Sequence, residues 1–154
     1  MSEGVEGDLR DLYQEVILDH GRRPRNFSIM EEASAKAEGF NPLCGDKVTV
    51  YVKMEGGRIG SLSFQGSGCA ISTSSASLMT ERLKGMSREE AAAMADRFHA
   101  MVTSDSALPL PEGLGKLEVL GGVREYPMRV KCATLAWHTL KAALDKPGAT
   151  VSTE

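Results

Sequence analysis

The sequence predicts an α+β fold: a small three-stranded antiparallel sheet with helices packed on one face. Three observations carry this. Val48, Val50, Val52 and Met54 alternate with Lys47, Thr49, Tyr51 and Lys53, the period of a strand with one buried face. The segments on either side change to the spacing of amphipathic helices. The order is one helix, a run of strands, then a run of helices, not the strict alternation of a parallel α/β sheet.

Each element has its own signal. Leu9, Leu12, Tyr13, Val16, Ile17 and His20 fall on one helical face, and Gly21 is the expected C-cap. A basic surface turn follows, Arg22-Arg23-Pro24-Arg25-Asn26. The first strand is expected near Ser34–Glu38 and the second over the Val48 segment. Glu55-Gly56-Gly57 is the hairpin turn into a third strand through Leu62 and Phe64. Gly66-Ser67-Gly68 precedes a helix from Cys69 to about Lys84. Ser87 followed by Glu90 reads as a capping box. The helix it opens aligns Ala91, Met94, Phe98, Met101 and Val102 on one face. A Gly/Pro-rich connector over 107–122 leads to a last helix starting near Pro127, a residue suited to a first turn. Its apolar stripe is Ala133, Trp137, Leu140 and Leu144. Met79, Met86, Met94 and Met101 read as core filler.

A chain of 154 residues suits a single domain over 1–154, with flexible ends expected at 1–7 and 146–154. The hydrophobic fraction of 42% excludes disorder for the bulk of it. A formal net charge of −3 speaks against a dedicated nucleic-acid binder, which carries a basic face. No apolar run approaches the length that crosses a bilayer. Met1 to Asp8 is acidic and glycine-bearing with no hydrophobic segment behind it, so no signal peptide is expected. The expectation is a cytoplasmic protein with neither membrane nor nucleic acid as partner.

Cys44, Cys69 and Cys132 are odd in number and far apart, unlike a secreted disulfide framework. Cys44 and Asp46 are separated by one glycine. If the pleat of the following strand reaches back through them, both point to the Val48 side. Cys69 opens a helix, where a thiol meets the positive end of the helix dipole. Cys132 lies in the first turns of the last helix, at the edge of its stripe. Three thiolates and a carboxylate suit a tetrahedral Zn²⁺ site. Such a site is anionic, and Arg129 stands three residues before Cys132 on the same helix face, with Lys131 adjacent. Spacing alone leaves two other readings open. The thiols could be unrelated buried residues. Alternatively, Cys69 could serve a hydrolase with His20, His99 or His138, although none of these has a carboxylate placed to orient it.

The local sequences around these residues narrow the choice. They are Asp19-His20 with Pro24-Arg25-Asn26, Asn41-Pro42-Leu43-Cys44-Gly45-Asp46, Phe64-Gln65-Gly66-Ser67-Gly68-Cys69-Ala70-Ile71-Ser72, and Tyr126-Pro127-Met128-Arg129-Val130-Lys131-Cys132-Ala133-Thr134-Leu135-Ala136-Trp137. Together they resemble the U-type iron–sulfur cluster assembly scaffolds (IscU and NifU N-terminal-like), and within them the SufU branch.

The resemblance implies an α+β scaffold with Cys44, Asp46, Cys69 and Cys132 gathered as metal ligands at one exposed end. It implies Zn²⁺ as cofactor and a SufS-type cysteine desulfurase as partner, with downstream iron–sulfur assembly proteins as recipients. Cys44 would accept persulfide sulfur while a partner histidine takes its place on the metal. Arg129 and Lys131 would steer the persulfide. Arg22, Arg23 and Arg25 form a docking patch or a merely solvated turn. The alternative within the family is a scaffold that builds a labile [2Fe–2S] cluster, or holds iron, on the same ligands. Two departures favour the SufU branch. Lys131 stands where other U-type scaffolds carry His before the third cysteine, and the connector holds an extra helix, Ser87–Val102. No Leu-Pro-Pro-Val-Lys motif is present, and Ala107 to Pro111 does not replace it, so the dedicated chaperone of the other branch is not expected.

Overall fold

The alternating valines form the buried face of the central strand: Val48, Val50 and Val52 are 4%, 0% and 0% exposed. The computed structural model describes residues 14–105, 112–146, 148 and 150–152. Over these residues the chain forms helix α1 (residues 14–22), strands β1 (Ala35–Asn41), β2 (Asp46–Glu55) and β3 (Arg58–Ser67), and helices α2 (Ala70–Leu83) and α3 (Arg88–Thr103). A 3₁₀ segment (Gly115–Glu125), helix α4 (Pro127–Asp145) and strand β4 (Thr150–Ser152) follow. The expectations for residues 1–7, for Leu9, Leu12 and Tyr13, for Ala107 to Pro111, and for 147, 149, 153 and 154 lie outside the described residues.

β2 pairs antiparallel with β1 and with β3. Gly56 and Gly57, with φ of 59° and 80°, close the β2–β3 hairpin as two left-handed residues, the geometry of a type I′ turn. β4 runs parallel to β1 on its outer side, so the order is β3-β2-β1-β4. The sheet is therefore four-stranded and mixed, not three-stranded and purely antiparallel. Thr150–Ser152 lies in the tail expected to be flexible, yet pairs with Glu38, Gly39 and Phe40. A three-residue strand is too short to show a period, which is why pattern reading passes over it.

α4 packs over β1 and β2, and α2 over β3. Gly39 of β1 permits the close approach of α4, because a Cβ there would run into Thr139 Oγ1. α3 forms an outer layer on α4, with Phe98 stacked on Trp137 at 4.4 Å between ring centres. Its capping box is formed: Glu90 N–H donates to Ser87 Oγ at 3.1 Å, and Ser87 N–H donates to the Glu90 carboxylate at 3.0 Å. The Ser87 backbone N–H, and then the Ser87 side chain, hold the Glu90 carboxyl below its ordinary value.

Two local expectations change. Gly21 does not end α1, which runs through residue 22. A Cβ at Gly21 would lie 3.3 Å from Ala70 Cβ, so the small residue serves the contact between α1 and the start of α2. The connector is also no plain loop over its second half. Leu114, Leu117, Leu120 and Val123 recur at intervals of three and are 0%, 1%, 0% and 5% exposed. That is the repeat of a 3₁₀ helix, which aligns residues i and i+3, and it escapes a search at the α-helical period. No helix among the described residues is long and apolar enough to cross a membrane.

Candidate metal centre

The β1–β2 connection, the start of α2 and the start of α4 meet at one end of the sheet. β2 begins at Asp46, and residues 42–45 form a turn with Gly45 at φ 71°. The strand pleat thus does not extend back through Cys44. The turn carries its thiol instead, held by a Cys44 N–H bond to the Asn41 carbonyl at 3.2 Å. Cys44 is exposed, whereas Asp46 and Cys132 are each 2% exposed. One donor atom from each of Cys44, Asp46 and Cys132 lies within 4.8 Å of the other two.

Cys69 is the N-cap of α2, where its sulfur accepts Ser72 N–H at 3.5 Å. That sulfur is not part of the 4.8 Å group. Its backbone N–H, however, donates to Asp46 Oδ1 at 3.0 Å. All three cysteines line one cavity of about 530 Å³, together with Leu18, Met128 and Arg129. Burial pushes the Cys132 thiol well above the usual range, and Asp46, Cys44 and Cys69 beside it push the same way. A buried thiol crowded by a carboxylate and two further thiols is a setting that a cation relieves. The donor set of sulfurs and one carboxylate oxygen matches what Zn²⁺ accepts.

Around these groups the expectations divide. Arg129 lines the cavity, with its guanidinium 4.9 Å from the centre of the Tyr126 ring. Lys131 is half-buried and does not line it. Arg25 is tied into the fold: its guanidinium binds Asp19 at 2.6 Å and its N–H donates to Ser77 Oγ at 2.8 Å. The Arg25 bond holds the Asp19 carboxyl below its ordinary value. Arg22 and Arg23 are exposed. None of His20, His99 and His138 lines the cysteine cavity. His20 is buried against Ser77, and His99 and His138 face each other at 5.6 Å between α3 and α4. The hydrolase reading therefore has no histidine beside Cys69.

Several contributors escape sequence reasoning. Asn41 is fully buried, and its Nδ2 lies 3.5 Å from both Asp46 Oδ2 and Cys132 Sγ. In the sequence it is only the first residue of the stretch Asn41-Pro42-Leu43-Cys44-Gly45-Asp46, with nothing to mark these contacts. Gly68 leaves room for the carboxylate, since a Cβ there would stand 2.7 Å from Asp46 Oδ1. Leu18 and Met128, which line the cavity, are 45% and 48% exposed, and Leu43 beside Cys44 in the chain and Tyr126 against Arg129 are 57% and 52% exposed. Helical and strand periods do not report such an apolar rim.

Fold and site define an α+β scaffold that gathers thiols and a buried carboxylate at one end of a small sheet. The chain belongs to the family described as NifU-like N-terminal domain, whose model matches residues 12–149. It is 41% identical over 138 residues to the iron–sulfur cluster assembly scaffold protein IscU of Streptococcus pyogenes serotype M1, covering 90% of this chain and 86% of that one. It is 37% identical over 142 residues to the zinc-dependent sulfurtransferase SufU of Bacillus subtilis, covering 90% and 93%. It is also similar to the crystal structure of a candidate iron–sulfur cluster assembly scaffold protein for the SUF system from Fervidobacterium islandicum AW-1. The TM-score there is 0.78 at 36% identity, covering 84% of this chain and 94% of that one.

Proposed function

We propose that the chain serves iron–sulfur cluster assembly as a zinc-dependent sulfur acceptor, working in the cytoplasm with a SufS-type cysteine desulfurase. The observation that carries this is the meeting of Cys44, Asp46 and Cys132 within 4.8 Å, with only Cys44 of the three exposed. The similarity to the Bacillus subtilis sulfurtransferase supports it. Zinc, when bound, keeps coordinated thiols deprotonated at neutral pH. Cys44, Asp46, Cys69 and Cys132 would hold it, and the last three would keep it once a partner histidine takes the place of Cys44. Cys44 is then the thiolate that acts: it attacks the outer sulfur of the desulfurase persulfide. A new S–S bond forms on Cys44, the old S–S bond breaks, and the desulfurase cysteine leaves as a thiolate. The product is a persulfide on Cys44, and no net oxidation occurs. Arg129 at the cavity rim attracts the anionic persulfide. Leu18, Leu43, Tyr126 and Met128 give a partner an apolar surface to cover, with the exposed Arg22 and Arg23 placed to meet an acidic one. Persulfide sulfur then passes to downstream assembly proteins.

The second reading is a scaffold that assembles a [2Fe–2S] cluster or binds iron on the same residues. It is favoured by the name of the Streptococcus pyogenes relative and by the affinity of thiolates for such clusters. Metal and acid-labile sulfide content of anaerobically purified chain, paired with desulfurase turnover, separates the two. One zinc per chain, no sulfide and a zinc-dependent rise in turnover are expected. Iron with matching sulfide and no zinc requirement would establish the scaffold reading instead.

A further inference from the structure

We propose that Asn41 is a positioning residue of the metal centre, holding Asp46 and Cys132 in the arrangement that zinc requires; this rests on the zinc reading above. Asn41 ends β1 and pairs in register with Asp46, the first residue of β2. It therefore stands at the closed end of the turn that carries Cys44. Its backbone carbonyl accepts Cys44 N–H at 3.2 Å. Its side-chain Nδ2 lies 3.5 Å from Asp46 Oδ2 and 3.5 Å from Cys132 Sγ. A carboxylate and a thiolate only accept hydrogen bonds, so the amide nitrogen is the end that must face them. The two oxygens of Asp46 are thereby divided: Oδ1 takes the Cys69 N–H and Oδ2 the Asn41 amide. One residue touches three of the four proposed ligands.

The other end of the side chain tells against a packing role. Asn41 is 0% exposed and its Oδ1 has no hydrogen-bond partner among the described residues. Burying an amide oxygen without a partner is unfavourable, and an apolar side chain of the same size would avoid it. The asparagine is thus poorly satisfied for itself and well placed for the ligands. A neutral amide also donates to a thiolate and a carboxylate without altering the charge of the site. Groups of this kind fix the orientation of metal ligands and strengthen the hold on the ion.

Asn41→Leu keeps the volume and the backbone carbonyl but removes the donor. Competition against a chromophoric chelator should show zinc affinity lowered about 10- to 100-fold. The thermal midpoint of the metal-free chain should change little, because the orphaned oxygen goes while Asp46 Oδ2 and Cys132 Sγ each lose only a long 3.5 Å donor. The absorption of the Co²⁺-substituted chain should shift as the Cys132 thiolate loses its donor. Asn41→Ala, which leaves more room, provides the second variant should leucine not be accommodated, and the same loss of affinity is expected. Zinc affinity within twofold of wild type in a folded variant overturns the assignment alone. So does a loss of affinity that merely follows a loss of metal-free stability in both variants. A wild-type chain that takes up no zinc overturns the zinc reading and this assignment together.

Discussion

Asp46 Oδ1 accepts the backbone N–H of Cys69 at 3.0 Å, so the first residue of β2 also anchors the N-terminus of α2. Substitution can separate this anchoring from the proposed metal-binding role of Asp46. Asp46→Asn retains an oxygen for the Cys69 N–H but loses the charge proposed to bind metal. Its new amide nitrogen faces the Asn41 Nδ2 donor, so it should lose a little metal-free stability, less than Asp46→Ala, and release zinc readily to a chelator. Asp46→Ala should release zinc and also lose about 1–3 kcal/mol of stability, the usual effect of removing one partner of a buried hydrogen bond. Zinc held by Asp46→Asn as firmly as by wild type would remove Asp46 from the ligand set.

Gly68 offers a steric test of the same carboxylate. A methyl group there would come within 2.7 Å of Asp46 Oδ1. Asp46 is 2% exposed and can yield only by giving up its bonds to Cys69 and Asn41. Gly68→Ala should therefore displace the carboxylate rather than unfold the chain. The expected result is near-normal far-ultraviolet circular dichroism with weakened zinc retention. A crystal structure of the variant with Asp46 unmoved would refute the account.

Cys44 is the exposed member of the 4.8 Å group, and its turn carries it on the surface while Cys132 stays buried. Cys44→Ser should abolish transfer of ³⁵S from a cysteine desulfurase to the chain. Because the alcohol is a far weaker nucleophile than a thiolate, no slow residual transfer is expected. Cys69→Ser and Cys132→Ser should instead lower zinc content first and transfer as a consequence. Labelled sulfur appearing on the Cys44→Ser chain would assign the acceptor role elsewhere.

How much of this was legible in the sequence depends on how locally each feature is encoded. The valine alternation, the Ser87–Glu90 box and the Pro127 start each lie within one element, and each stands where its signal put it. Cys69 as helix opener was readable for the same reason. The mixed sheet was not, because β4 is three residues long and its pairing with β1 is a contact across the whole chain. Gly21 shows the same limit: it looks like a helix end, yet its smallness answers to Ala70, a neighbour in space only. Within the site, the chemistry of Cys44, Asp46, Cys69 and Cys132 could be named from residue type. The way they are held could not, since Asn41 and Gly68 act through neighbours that only folding supplies.

His20 supplies a pH dependence whose sign follows from its surroundings. The ring is 1% exposed, and its Nδ1 lies 2.7 Å from Ser77 Oγ. That oxygen also accepts the Arg25 backbone N–H at 2.8 Å, so the ring is held against a satisfied serine. Nε2 has no hydrogen-bond partner, and the Glu81 carboxylate is 3.7 Å away. Burial, reinforced by Arg25, holds the His20 pKa below its ordinary 6.5, with Glu81 opposing. Between the lowered folded value and the ordinary unfolded one, the unfolded chain binds more protons. Stability is then complete above the unfolded value and falls as pH drops through it toward the folded value. His138 is lowered by burial as well, so the whole-chain curve contains both groups. His20→Gln, compared with wild type in the metal-free chain, isolates the first. The wild-type thermal midpoint should fall between about pH 7 and about pH 5, the range in which histidine titrates. The fall should be shallower in His20→Gln, and parallel curves for the two chains would show that His20 binds protons equally in the folded and unfolded states.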